Sequence, residues 1–390
     1  MIVKECAMSE NLLKIAVLMS QADMHTRGIF AGITRYARPL RAWQFHLGLP
    51  DARIVSDLRK WKPHGMIATL PQAKLEKRFA TLGIPMVNCS SNLRSDTVHR
   101  VITDNDAVGQ LAATYLLSRG YEHLAFCGES GMGASDDRFA AYRKHVPGKV
   151  HYFVDAHAQQ QVGEVGWRVS DQDRQLRQWL MDLPKPAGIL ACHDPMAMVL
   201  LEVCRQLQIN VPGELAILGV DDDAMLCQMA YPTLSSIRMA HERIGFEAAR
   251  LLDQLLVEPQ MDKQCIRIGP LCVVTRQSTD ALASDDRLVG AAVRYIQEHA
   301  DQPIRVSDVV EQTSVSRRNL EMRFEAALGK SILDVIQQAH VDLASQLLSS
   351  TQMSIEQIAL ASGFNSRERF SAVFREQTGQ TPGSFRSKPH

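Results

Sequence analysis

At 390 residues, with 45% hydrophobic and 22% charged residues, the chain is too long for one ordinary domain and rich enough in apolar residues to bury sizeable cores. Its 43 basic and 43 acidic residues cancel to a formal net charge of +0, which excludes a protein that holds nucleic acid through a global basic field. Eight cysteines (6, 89, 127, 192, 204, 227, 265 and 272) form no CxxC pair, and several lie in apolar runs. That usage fits buried thiols in a reducing compartment better than a disulfide framework or a zinc site.

The N-terminal apolar stretch Leu12–Ser20 is interrupted by Lys14 and preceded by Glu5 and Glu10. It lacks the basic start and longer apolar core of a secretory signal. No run approaches the roughly 18 apolar residues of a membrane span, so a cytoplasmic location away from any membrane is expected.

From residue 12 to about 275, short apolar runs alternate with amphipathic stretches. The runs include 14–19, 65–68, 84–88, 124–127, 188–191 and 215–220; helical stretches include 106–118 and 194–207. Runs of this length suit strands buried on both faces of a parallel sheet, and the alternation predicts doubly wound α/β layers. About 260 residues exceed what one such sheet needs, so two lobes are expected, with ligands at the carboxyl ends of strands. Asp23, His25 and Arg27 follow the first strand and either line a ligand site or form a plain surface loop.

Several segments in this region carry a resemblance. Val211-Pro212-Gly213-Glu214 leads into the run 215–220 and ends in Asp221-Asp222-Asp223; Tyr231-Pro232-Thr233-Leu234-Ser235-Ser236 follows, then a helix from His241 to Val257 with Ile244-Gly245 near its start. With Thr103–Gly109, Gly120–Leu124 and Arg276-Gln277-Ser278-Thr279, these resemble the effector domain of LacI-type repressors, related to periplasmic sugar-binding proteins, over roughly residues 12–279. The resemblance places ligand contacts on Arg138, His193 and Asp221, with Asp194 beside them; by position after the first strand, Asp23 would line the opposite lobe unless it lies in a plain surface loop. Carboxylates and a guanidinium offer paired hydrogen bonds to vicinal hydroxyls, which suits a sugar. His193 stands where many relatives have asparagine. Asp222 and Asp223 are read as caps or solvated groups.

Thr279–Arg287 is polar and aperiodic, a linker over 279–286. Beyond it no strand-like run occurs, and apolar residues recur at helical spacing. Within 287–390 two units match. The first, 306–325, and the second, 354–376, each read as a short helix, a turn, then a second helix capped by Ser316 or Ser366. Gly363 suits the left-handed turn of the second unit. Leu320 with Phe324, and Phe370 with Phe374, are spaced to face the core. Outward on the two second helices remain Arg317, Arg318, Asn319 and Arg323, and Ser366, Arg367, Arg369 and Arg375. Arginine and asparagine can read guanine and adenine edges bidentately. An ordinary solvated face is the plain alternative, and two cationic helices behind matching turns weigh against it. A connecting helix over 331–349 spans about 28 Å, near the ~34 Å between successive major grooves. Residues 285–390 hold 12 basic and 13 acidic residues, so specificity rests on the local arginines.

The tail Ala361-Ser362-Gly363-Phe364, Phe370-Ser371, Phe374-Arg375, Thr378–Pro382 and Phe385-Arg386 resembles the AraC/XylS family's DNA-binding domain. His340 stands in a stretch where that family usually has arginine. The two resemblances imply a two-lobed, periplasmic-binding-protein-like α/β sensor over 12–278 and an all-α DNA-binding domain with two helix-turn-helix motifs. Only about 12 residues precede the first strand, too few for the N-terminal reading head of a LacI-type repressor. The order is similar to that of bacterial xylose-operon activators. It implies an activator of a sugar-utilisation operon, with D-xylose the favoured effector, operator DNA and RNA polymerase as partners, and a homodimer. No cofactor or metal is expected. Another pentose or hexose, or a sugar-binding protein without a regulatory role, are the alternatives. An enzyme is disfavoured: GxSxG, HExxH and GxxxxGK[ST] are absent, and Gly128–Gly133 lacks the dinucleotide spacing.

Overall fold

The computed structural model describes residues 12–20, 24–40, 43–93, 97–155, 174–280, 286–350 and 353–387. Asp23 and linker residues 281–285 lie outside them.

The alternating pattern folds as strand and helix in turn: β1 (Leu13–Leu18), α1 (Met24–Leu40), β2 (Trp43–Gly48), α2 (Val55–Trp61), β3 (Gly65–Ala68), α3 (Ala73–Ala80), β4 (Met86–Asn88) and β5 (His99–Thr103). There follow α4 (Asn105–Ser118), β6 (His123–Glu129), α5 (Gly133–His145), β7 (Val150–Asp155), α6 (Arg174–Asp182), β8 (Ala187–Ala191), α7 (Asp194–Gln206), β9 (Leu215–Asp221), α8 (Ala224–Met229), β10 (Ser235–Met239), α9 (His241–Val257), β11 (Cys265–Ile268) and β12 (Pro270–Val274). These form two lobes, each built on its own six-stranded sheet.

The first compact unit comprises the described residues up to Asn105, Met132–Asp136 and Ala240–Gly269. Its sheet has the order β11-β5-β4-β3-β1-β2, parallel throughout. Such a sheet is covered on both faces, so its strands read as unbroken apolar runs; Ile15 through Leu18 and Met66 through Ala68 are fully buried. Helices α1 and α9 pack against each other backbone to backbone. A Cβ at Gly245 would lie 1.9 Å from the Ile29 carbonyl oxygen, and one at Gly32 would lie 1.9 Å from that of Glu242.

The second unit comprises the described residues of Asp106–Gly131, of Asp137–Met239 and from Pro270 on. Its sheet order is β12-β10-β9-β8-β6-β7, parallel except for the antiparallel edge pair β10–β12. Phe126, Tyr142, Leu190, Leu200, Ile217 and Leu234 belong to its core. Thr279 and Asp280, assigned to the linker by polarity, are buried in this lobe. Thr279 bonds the Ser235 hydroxyl, and its hydroxyl also meets that of Tyr115.

The same unit includes the all-α C-terminal part: α10 (Arg287–Glu298), α11 (Val306–Glu311), α12 (Arg317–Leu328), α13 (Ile332–Ser350), α14 (Ile355–Ala361), α15 (Arg367–Thr378) and α16 (Pro382–Ser387). Two small cores hold it. Val289, Ile296, Val309, Leu320, Phe324 and Ile336 form the first; Val341, Leu348, Ile358, Phe364, Phe370 and Phe374 form the second. Helix α13 contributes to both. Among the described residues no helix is long and apolar enough to cross a membrane.

Candidate functional site

The expected effector residues of the second lobe gather at the carboxyl ends of β6, β8 and β9. Glu129 ends β6, and His193 stands two residues beyond β8 as the N-cap of α7. The His193 Nδ1 accepts from the Met196 backbone N–H at 3.0 Å, so the ring proton sits on Nε2 and is donated to Glu129 Oε2 at 2.8 Å. Both ring nitrogens of His193 are therefore spent inside the lobe, leaving no donor or acceptor for a ligand. Arg138, 5% exposed, donates to the carbonyl of Cys192, which ties α5 to the end of β8. Glu129 was missed in the sequence because β6 continues past its apolar run; the strand ends on a polar residue two positions after Cys127.

Asp194 does not take the ligand-contacting place expected of it. It is completely buried and accepts from the Asp223 backbone N–H at 2.7 Å and from the Ser236 hydroxyl. Its carboxyl fastens the ends of β9 and β10 to α7. Burial, and next the neighbouring Asp221 carboxylate, push Asp194 up to about 8. A carboxyl that holds its proton more tightly folded than unfolded contributes fully below its ordinary 3.8, and the contribution is lost as pH rises through about 8. The lobe is thus expected to lose melting temperature between about pH 4 and pH 8, and Asp194→Asn is expected to flatten that slope. Equal slopes in thermal melts of the two proteins would refute the assignment.

Three successive carboxylates at the end of β9 do three different things. Asp221 has φ 111° and Asp222 φ 54°, a left-handed pair that costs roughly 1–3 kcal/mol per residue outside glycine. Backbone strain of this kind persists only where the surroundings hold it. Asp222, 2% exposed, is that hold: its two oxygens accept from Arg238 Nε and Arg276 Nη2, each at 2.7 Å. Asp223 is the N-cap of α8, accepting from the Met225 N–H at 3.0 Å. Asp221, half-buried, ends β9 at the strained turn.

In the helical part, Ser316 caps α12 through the Asn319 N–H, and Ser366 caps α15 through the Arg369 N–H. Ser354 and Gln357 form a reciprocal capping box on α14. Helix α11 lacks a serine cap; Asp308 accepts from the Arg305 N–H instead. Leu320, Phe324, Phe370 and Phe374 are fully buried, so the opposite faces are exposed. Arg317, Arg318 and Asn319 lie exposed at the start of α12, and Arg367, Arg369 and Arg375 lie exposed along α15. Arg323 keeps a side chain 40% exposed, but its guanidinium has partners within the fold. Its Nε donates to Asn319 Oδ1 at 2.6 Å, and its Nη1 pairs with Asp286 at the end of the linker, which ties α12 to the start of α10.

Residues 113–279 match the family described as periplasmic binding protein-like domain, and residues 309–388 match a helix-turn-helix domain. The xylose operon regulatory protein of Escherichia coli (strain K12) is 29% identical over 381 residues, 96% of each chain. The solved structure of the xylose-binding transcription activator xylR is 28% identical, with TM-score 0.61 over 96% of this chain and 97% of that one. The E. coli K12 regulatory protein SoxS is 30% identical over 105 residues, 27% of this chain and 98% of SoxS. A LacI family regulator from Enterococcus faecium with bound ribose shares the sensor fold, with TM-score 0.54 and 18% identity over 68% of this chain and 98% of that one. These matches are to transcription regulators, not enzymes.

They also correct the expected AraC/XylS membership. The sensor, two thirds of the chain, has the fold of LacI-type regulators, and the C-terminal match is to a helix-turn-helix domain without that label. One such motif is supported. The physical reason lies in the residues that suggested the family: Phe364, Phe370, Phe374 and Phe385 pack on one another in series, with ring centroids 5.1–5.4 Å apart. The signature thus records how a small helical core is filled.

Proposed function

We propose that this chain is a helix-turn-helix regulator that activates a sugar-utilisation operon under the control of a pentose, with D-xylose favoured. The observation that carries the reading is that one compact unit holds both a polar wall at the ends of β6, β8 and β9 and a set of exposed arginines on helices that follow a tight turn. Arg138 and Asp221 supply the guanidinium and carboxylate suited to neighbouring hydroxyls, with Glu129 and His193 shaping the wall behind them. Asp194 supports the site from beneath. The sensor occupies 12–278, the linker 279–286 and the DNA-binding domain 287–390. Within the last, two reading units, 306–325 and 354–376, flank the connecting helix. The protein works in the cytoplasm as a homodimer and contacts RNA polymerase at its promoter.

A thermal-shift screen against pentoses and hexoses tests the effector. D-xylose at 100 times its Kd is expected to add about 2.7 kcal/mol of stability. A shift with a different sugar alone would replace the effector; no shift with any would remove the sugar-sensing role. For DNA, Arg317→Ala and Arg367→Ala are each expected to weaken specific binding by roughly 1–3 kcal/mol. An equal loss on every duplex would make them phosphate contacts. Sedimentation of the full chain decides the dimer.

A further inference from the structure

Helix α13 passes from one small core to the other within a few residues. Ile336 belongs to the first core, with Ala339 packed against it, and Val341 belongs to the second. His340 stands at the hand-over, 5% exposed, and its Nε2 is buried. The imidazole meets Phe364 edge to face, with ring centroids 5.3 Å apart. Its Nε2, the carbonyl oxygen of Gln302 and that of Ala300 converge at Gly363, lying 2.6, 2.6 and 2.9 Å from where a Cβ there would be.

These neighbours come from different halves of the domain. Ala300 and Gln302 are in the segment joining α10 to α11, and Gly363 with Phe364 forms the turn between α14 and α15. Gly363 adopts φ 78°, and the Phe364 N–H closes the turn on the Ala359 carbonyl at 2.9 Å. Burial holds His340 below its ordinary pKa, so it is a neutral ring. The backbone hydrogen bond with Gln302 calls for an N–H on the ring nitrogen that meets that carbonyl. A long helix sets the distance between two units, but their relative rotation depends on what is wedged between them.

We propose that His340 is the positioning residue that sets the rotation of the α14–α15 unit relative to the α11–α12 unit, and hence the spacing of the DNA segments the domain reads. The proposal rests on the reading of two DNA-contacting units. One base pair turns B-DNA by roughly 34° and advances it by ~3.4 Å, so a loosened wedge is seen as tolerance of altered spacing. No direct contact of His340 with DNA is involved.

The test uses the full chain, with and without D-xylose, on a duplex selected by the wild-type protein from a random library. Footprinting of the wild type comes first: two protected segments support the two-unit reading, whereas a single segment overturns that reading and the proposal with it. Duplexes with one base pair added or removed between the segments are then compared with the parent by fluorescence anisotropy. The wild type is expected to prefer the parent spacing about ten-fold, and His340→Ala by less than about three-fold. His340→Gln, which keeps an N–H at similar reach, is expected to restore the preference. Simple destabilisation lowers binding to all duplexes alike and leaves the ratio unchanged. Two protected segments together with an unaltered ten-fold preference in His340→Ala would overturn the role of His340 and leave the two-unit reading standing.

Discussion

Asp222→Ala is expected to destabilise the second lobe by about 3–5 kcal/mol, the cost of breaking a buried ion pair from one side. The carboxylate is 2% exposed and uses one oxygen on Arg238 and the other on Arg276, both at 2.7 Å. The Arg238 side chain is 30% exposed and that of Arg276 17%, so neither guanidinium is well placed to recover its hydration. Removing the carboxylate leaves two cations facing each other beside a turn that is already strained at Asp221 and Asp222. Asp222→Asn, which keeps one acceptor, should fall between the two. Urea unfolding reads the difference, and a loss below about 1 kcal/mol would mean that both arginines reach water in the variant.

Gly245→Ala is expected to cost about 3 kcal/mol or more, at the upper end of what overpacking imposes. The added carbon would sit 1.9 Å from the Ile29 carbonyl oxygen, and a backbone atom has no alternative rotamer. Helices α1 and α9 would have to separate, uncovering a face of the first sheet. Gly290→Ala is the contrast. Gly290 lies in α10 with nothing within 4 Å of its added carbon, so alanine there should gain roughly 0.5–1 kcal/mol from helix propensity. Thermal melts of the two variants moving in the same direction would contradict both assignments.

The positions that a regulator of this kind depends on became legible in the sequence to different degrees. The buried face of α12 and α15 follows from spacing alone, since residues four apart share a helix face, and Leu320, Phe324, Phe370 and Phe374 are all fully buried. Caps at Ser316, Ser354 and Ser366 are likewise local. The family signature was less secure, because its phenylalanines answer to packing. Edge and near-edge strands were harder to see: β7 leaves Tyr152 and Val154 exposed, and β11 leaves Cys265 exposed, so neither shows an unbroken apolar run.

By itself the sequence determined the change of texture near residue 280, from strand–helix alternation to helices alone, and the cationic faces beyond it. Both depend on periods of two or 3.6 residues along a short stretch. It could not say which carboxylate does what. Asp194 meets Ser236 across 42 residues, and Asp222 meets Arg276 across 54. Such partners, and the burial that lifts Asp194 while the clamp on Asp222 holds the Asp221 turn, exist only once distant strands are side by side. The surroundings of the arginines depend on the fold in the same way: Arg317 and Arg318 are exposed, and Arg323 is tied to Asp286 at the end of the linker. Residue type and spacing name the groups able to read a sugar or a base. Tertiary packing decides which of them are still available to do so, because a hydrogen-bonding group already satisfied within the fold has little left to offer a ligand.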